Sequence, residues 1–364
     1  YKRGINTMKA LILCAGKGTR LRPLTLTNAK PLIPIANKPT IMYSIEKIKE
    51  SGISDIGIVV SPENIEAFQR VLGDGSSLDI KITYIIQEKP QGLAHAVKVA
   101  KDFLNNEDFL MFLGDNLVHF DLKSFIKKFE QSEYESYILL TPVENPWDFG
   151  IALIEDSKVA KVVEKPKVPP SNLAIVGVYI FTPLIFEAID HLSPSWRGEY
   201  EITDAIQWLI DNSKNVGAHI IEGWWKDTGK PEDLIEANRK ILSELKEMQI
   251  EGEIREDSLI QGNVVIGKNT KIINSIIRGP AIVGDNTTIS NSYIGPYTSI
   301  GDGVYISSSE IEHSIILNDA NILNIPVRIE SSVIGENANI ISIERKPHSI
   351  KLILGDYSHI QIPK

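Results

Sequence analysis

The chain has 364 residues, 43% hydrophobic and 23% charged, which is long enough for two buried cores and sets an expectation of two domains. A formal charge of −9 excludes a polybasic surface for nucleic acid. One cysteine, Cys14, excludes an intramolecular disulfide and a multi-cysteine zinc site, and no apolar run approaches the ~20 residues of a membrane-spanning helix. Residues 1–7 lack the apolar core of a signal peptide, so Met8 is expected as the initiator and the protein as cytoplasmic.

In chain order, short apolar strands are expected at 9–14, 55–60, 81–86 and 108–114, with helices at 41–50, 63–72, 92–104 and 122–130. Strands alternating with helices describe βαβ units, hence an α/β domain over 8–245 with a Rossmann-like, mixed but mainly parallel sheet. The stretch "ILSELKEMQIEGEI" (241–254) reads as a last helix and a linker. Beyond it the grammar changes to a period of 17 residues. One row is Ile266, Val283, Ile300, Leu317 and Ile334; a second is Ile272, Ile289, Ile306, Leu323 and Ile340. A third, Ile277, Ile294 and Ile311, breaks at Arg328. One inward aliphatic residue on each of three short faces describes a triangular parallel β-helix over 251–364, since a β-sandwich would not hold that period. The "IG" and "VG" pairs at 266–267, 283–284, 294–295, 300–301 and 334–335 resemble the hexapeptide repeats of left-handed β-helices.

The first strand runs into "LILCAGKGTRLRPLTLTNAKPLIPI" (11–35), where Gly16 and Gly18 precede Arg20, Arg22 and Lys30. Glycines at the end of a strand let backbone N–H groups approach an anion, and open α/β sheets bind ligands at those ends. The dinucleotide fingerprint fails, because its third glycine is Leu21 and Pro23 follows; the Walker spacing is also absent. What remains is G-x-G-T-R-L-x-P and then Lys30, followed by the stiffening prolines Pro31 and Pro34. Three fixed cations suit a polyphosphate. "FLGDN" sets Asp115 just past a strand, and "WWKDTGKPEDL" sets Asp227 before a helix. Alone, each reads as a turn or cap residue, although magnesium needs only one or two carboxylates beside phosphate oxygens and water. In "QEKPQGLAHAV" the Gln87 amide can read a pyrimidine edge with donor and acceptor together, and the Gly92 N–H can add a donor. His95, with no ligand partner nearby in sequence, is expected to pack or face solvent.

From Met8 to about Asn238 the complete pattern resembles the sugar-1-phosphate nucleotidylyltransferases, and most of all their long-form glucose-1-phosphate thymidylyltransferases, which carry a C-terminal β-helix. The resemblance implies a nucleotide site at Leu13, Ala15, Gly16, Gly18, Thr19 and Arg20, with Gln87 and Gly92 at the base. It implies a sugar site at Gly150, Glu164 and Val176, a sugar-phosphate site at Lys165 and Arg197, and Mg2+ on Asp115 and Asp227. Arg197 lies in "WRGEYEITDAI", which reads equally as a helix start capped by Thr203.

The implied reaction is attack by a hexose 1-phosphate on the α-phosphorus of a nucleoside triphosphate, releasing pyrophosphate. Arg20, Lys30, Lys165 and Asp115 are the expected catalytic residues, and an anionic nucleophile needs no general base. The expected substrates are dTTP and glucose 1-phosphate, with UTP kept open because Pro31 stands where short thymidylyltransferases carry glutamine. A homo-oligomer is expected, and a chain ending near Leu245 is expected to keep the chemistry. Two alternatives are a bifunctional enzyme with an acetyltransferase β-helix, for which His313 is a candidate by type, and a non-catalytic scaffold.

Overall fold

A computed structural model describes residues 8–343, 350–352 and 354–362; the expectations for residues 1–7 lie outside them. The chain divides into two compact units, one of Tyr1–Lys17, Asn28–Leu32 and Thr40–Asp227, the other of Gly18–Thr27, Ile33–Pro39 and Thr228–Lys364. No described helix is long and apolar enough to cross a membrane.

The first unit is centred on β1 (Lys9–Leu13). It lies parallel to β2 (Asp55–Val60) on one side and to β4 (Phe109–Leu113) on the other, with β3 (Lys81–Ile86) parallel to β2. These strands lack hydrophobic alternation because both faces are covered. Ala10 and Ile12 enter one core with Ile58 and Phe112, while Leu11 and Leu13 enter another with Val59 and Met111. The helices α1 (Thr40–Glu50), α2 (Ile65–Leu72) and α3 (Leu93–Val99) follow the expected pattern, except that the last stops at Ala100 before a further turn at Lys101–Leu104.

Beyond β4 the chain makes β5 (Asn116–His119), α4 (Leu122–Glu130) and β6 (Ser136–Pro142), then the hairpin β7 (Gly150–Glu155) and β8 (Lys158–Glu164), and then β9 (Leu173–Phe181). β9 runs antiparallel to β4, β6 and β7, which makes the sheet mixed. After α5 (Leu184–Asp190) and α6 (Ile202–Asp211), β10 (Val216–Ile220) joins β6 in parallel. The last strand of this unit, β11 (Trp224–Asp227), leaves the main sheet and pairs antiparallel with β5, setting Asp227 opposite Asn116.

The second unit contains α7 (Pro231–Ser243) and a left-handed parallel β-helix made of three all-parallel sheets. The expected linker is already part of it, since Gln249–Ile250 and Glu253–Arg255 pair with the next coil. Each row therefore starts one residue pair earlier than expected, at Ile250, Ile254 and Ile260. Three positions also differ. Ile300 pairs with Ile316 and Ile306 with Ile322, not with Leu317 and Leu323, because one coil is a residue short. The third row does not break at Arg328: Ile311 pairs with Ile329, because the corner at 324–328 carries two extra residues, one of which offsets the residue missing before it. Corners take the left-handed conformation that asparagine tolerates, with Asn269 and Asn286 at φ 57° and 54° and Asn274 donating to Asn291 at 2.8 Å.

The segment Ile33–Pro39 is tied into this unit through Asn238 of α7, which is only 1% exposed. Its Oδ1 accepts from Ala36 N–H at 2.8 Å and Ser299 Oγ at 3.0 Å, and its Nδ2 donates to the Tyr297 carbonyl at 3.1 Å. Asn37 Nδ2 reaches the Ile300 carbonyl at 2.6 Å. A chain ending near Leu245 would strip these two amides of partners, so the β-helix is part of what holds Ile33–Pro39. Asn238→Ala should lower the unfolding free energy by about 2–4 kcal/mol in a urea titration. A loss below about 0.5 kcal/mol would show that Asn238 does not tie Ile33–Pro39 to the β-helix.

Candidate active site

Three distant segments meet within the first unit. Asp115 follows β4, the β5–β11 register brings Asp227 alongside, and Lys30 enters from a short 3-10 turn, Lys30–Leu32. The Lys30 ammonium, 8% exposed, donates to Asp115 and, at 3.3 Å, to Asp227. Asn116 Nδ2 donates to Asp115 at 2.9 Å, and its Oδ1 accepts from the Trp225 indole. Burial pulls the Lys30 pKa down, but the two carboxylates outweigh it and hold the ammonium above its ordinary value. For Asp115 burial pushes upward, and the charge and hydrogen bond of Lys30 prevail to leave it below the usual carboxylate range. Beside them the Cys14 thiol is pushed well up, by burial and then by Asp115, so it carries little thiolate.

This donor set suits a hard divalent ion. Two carboxylates already converge on one cation, and phosphate oxygens and water can complete a magnesium shell. Among the described residues no cluster of three or more His, Cys, Asp or Glu competes with it.

At the end of β3, Gln87 is 3% exposed, its Nε2 within 2.8 Å of His95 Nδ1 and 3.3 Å of the Gly92 carbonyl. His95 therefore neither simply packs nor faces solvent as expected; it holds Gln87. Gly92 has φ 103°, and a Cβ there would lie 2.5 Å from the Tyr200 carbonyl oxygen. The same carbonyl accepts from Ala94 N–H at 3.1 Å, and Tyr200 N–H donates to Gln91 at 2.8 Å. The Gln87 loop is thus pinned to the segment that carries Arg197.

Glu164 ends β8 in register with Gly150. It accepts from Thr203 Oγ1 at 3.2 Å and meets Arg197 at 3.5 Å, and Arg197 also contacts Glu199 at 3.0 Å and Glu201 at 3.4 Å. Burial first, then the Glu201 charge, raises the Glu164 pKa against the pull of Lys165, Thr203 and Arg197. Thr203 is not the expected cap: the N-cap of α6 is Glu201, and the buried Thr203 hydroxyl serves Glu164 instead. Lys165 adopts φ 40°, a left-handed conformation uncommon for a lysine, with its N–H on the Phe149 carbonyl at 3.0 Å. Val176 is 0% exposed within β9.

Of the expected nucleotide loop, Leu13 and Ala15 are buried at the end of β1 and Gly16 is exposed. The remainder belongs to the second unit: Gly18 at φ 59° starts a single turn, Thr19–Leu21, that leaves Arg20 exposed. Thr25 Oγ1 closes this loop on the Gly18 carbonyl at 2.7 Å. In the β-helix, His313 occupies a left-handed corner at φ 48°, its ring 5.2 Å from that of Tyr297.

The profile of the nucleotidyl transferase family matches residues 9–244. The chain belongs to that family. Across 98% of its length it is 44% identical to a glucose-1-phosphate thymidylyltransferase of Streptomyces griseus, covering 99% of that protein. It is 43% identical, again over 98% of its length and 100% of the relative, to a low-salt glycan biosynthesis nucleotidyltransferase of Haloferax volcanii. A solved UDP-glucose pyrophosphorylase with UDP-glucose bound is 29% identical, with a TM-score of 0.59, covering 65% of this chain and 98% of that one. The family member described here is a sugar-1-phosphate nucleotidylyltransferase, transferring a nucleotidyl group onto a sugar phosphate.

Lys30→Met would leave Asp115 and Asp227 facing each other without their ammonium. Both carboxylates retain some exposure, so the loss should be on the order of 2 kcal/mol rather than the value for a sealed pair. Chemical denaturation of the variant checks this, and wild-type stability would mean that Lys30 is not their counter-ion.

Proposed function

We propose that the protein is a magnesium-dependent glucose-1-phosphate thymidylyltransferase, with UTP as the alternative triphosphate. The observation that carries the chemistry is the convergence of Lys30, Asp115 and Asp227 from three separate segments onto one point. The substrates are supported by the resemblance over nearly the whole chain to the Streptomyces griseus enzyme, β-helix included.

In this reading Asp115 and Asp227 hold the magnesium ion, which when bound supplies positive charge to the reacting phosphates. The chain's own residues do the rest by position and charge. Glu164, beside Gly150, accepts hydrogen bonds from sugar hydroxyls. Lys165 and Arg197 take the sugar phosphate, with Arg197 leaving its three glutamate partners for the stronger fork of a phosphate. A phosphate oxygen of the sugar 1-phosphate bonds to the α-phosphorus as the bond to the bridging β-phosphate oxygen breaks, and pyrophosphate departs. Lys30 and Arg20 offset its charge. No proton is abstracted, because the nucleophile is already an anion near neutral pH.

Pyrophosphate release, measured over a panel of triphosphates and sugar 1-phosphates, tests this directly. The highest kcat/KM is expected with dTTP and glucose 1-phosphate, and a preference for another pair would replace the proposed substrates. Asp115→Asn should lower turnover about 100-fold or more with circular dichroism unchanged; ordinary magnesium-dependent turnover would remove Asp115 from the metal site. Arg20→Ala should reduce kcat more than it raises the sugar-phosphate KM, since its charge is matched to the leaving group. If only that KM changes, Arg20 serves the other substrate.

A further inference from the structure

Gln87 has only half of its amide left for a ligand. An amide nitrogen carries two hydrogens, and here it has two acceptors, His95 Nδ1 at 2.8 Å and the Gly92 carbonyl at 3.3 Å. The carbonyl decides which end of the amide lies there, because a carbonyl oxygen accepts and never donates; the atom facing it is the nitrogen. His95 Nδ1 must then accept as well, so its ring is neutral with the proton on Nε2. Burial, and then Lys98, lower the pKa of His95 and favour that state. Neither acceptor is free to drift. Gly92 holds a backbone conformation closed to other residues, wedged against Tyr200, and His95 stands in the first turn of α3 (Leu93–Val99). What Gln87 retains is Oε1, which has no partner among the described residues.

We propose that His95 is a positioning residue that sets base specificity: by fixing the amide it makes Gln87 present an acceptor, selecting a pyrimidine with a ring N–H, uracil or thymine, and rejecting cytosine. This rests on the reading of Gln87 as a base contact. Uracil and thymine carry a hydrogen on N3, whereas cytosine N3 is itself an acceptor. Two acceptors facing each other make no bond and leave a desolvated carbonyl unpaired, which is the arrangement that discriminates most strongly. The 5-methyl group lies on another edge, so this device does not separate dTTP from UTP. Without His95 the amide is held only by its longer bond to the Gly92 carbonyl, at 3.3 Å, and turning over to offer its nitrogen to cytosine then costs that one bond rather than two.

The test is steady-state kinetics with UTP, dTTP and CTP against glucose 1-phosphate. In His95→Leu the UTP-to-CTP ratio of kcat/KM should fall about tenfold or more, through a higher KM for UTP and a lower one for CTP. The KM for glucose 1-phosphate should stay put, and His95→Gln, whose carbonyl can accept, should restore much of the ratio. Should His95→Leu fail to fold, His95→Met removes the same acceptor and is read in the same way. An unchanged ratio in a folded variant overturns the proposal, and so does an equal loss for all three triphosphates, which would mark His95 as merely structural. Gln87→Ala separates the two layers. If it too leaves the ratio unchanged, Gln87 is not the base contact; if it collapses the ratio while His95→Leu does not, only the positioning role falls.

Discussion

Two carboxylates that share a partly desolvated site repel each other unless a cation lies between them, and in the first unit that cation is the Lys30 ammonium. Much else follows from that constraint. The β5–β11 ribbon can keep Asp227 beside Asn116 because the charge arriving with Asp227 is matched. The ribbon is further fastened from Trp225 to Asn116 and from Asn116 to Asp115, so the side chains that orient the carboxylate also fix the strand pairing. The pair is thus balanced in charge by the chain's own side chains.

Arg197 repeats the logic beside Glu164 with the signs reversed. One guanidinium is shared among Glu164, Glu199 and Glu201, and burial raises the pKa of Glu164 and Glu201. Such a cluster carries more negative charge than a stray anion tolerates, so a simple phosphate gains little there. In the proposed reading a sugar phosphate would bring hydroxyl donors for Glu164 as well as an anion for Arg197 and Lys165, so that keeping acceptors and cations side by side would select the conjugate over either half.

How much was legible in the sequence depended on whether a feature is local. β1 and β4 were readable because strands covered on both faces become unbroken apolar runs. The β-helix was readable because stacking repeats the same residue every coil. Its irregularities were not, for a simple reason: Ile316 and Leu317, and Ile322 and Leu323, are adjacent aliphatic pairs, and a slip of one residue leaves a periodic reading equally satisfied. Arg328 looked like a break because Ile329 stands one place later. Asp115 and Asp227 could be singled out by resemblance, but nothing near either announces the strand pairing that joins them across more than a hundred residues. The role of His95 was hidden because it depends on the carbonyl of Gly92, which no side-chain pattern reports.

The path of the chain adds a coupling that the domain grammar conceals. Gly18–Thr27 belongs to the second unit, Asn28–Leu32 returns to the first, and Ile33–Pro39 goes back to the second. The flank after Lys30, Ile33–Pro39, is anchored by Asn37 and by Asn238 to the coil at Tyr297–Ile300. The β-helix core is a continuous stack of aliphatic residues, each coil fastened to the next by backbone hydrogen bonds, and such a stack yields little locally. It supplies no carboxylate of the pair at Lys30, yet the segments on either side of that lysine, and the turn carrying Arg20, rest in the unit it forms.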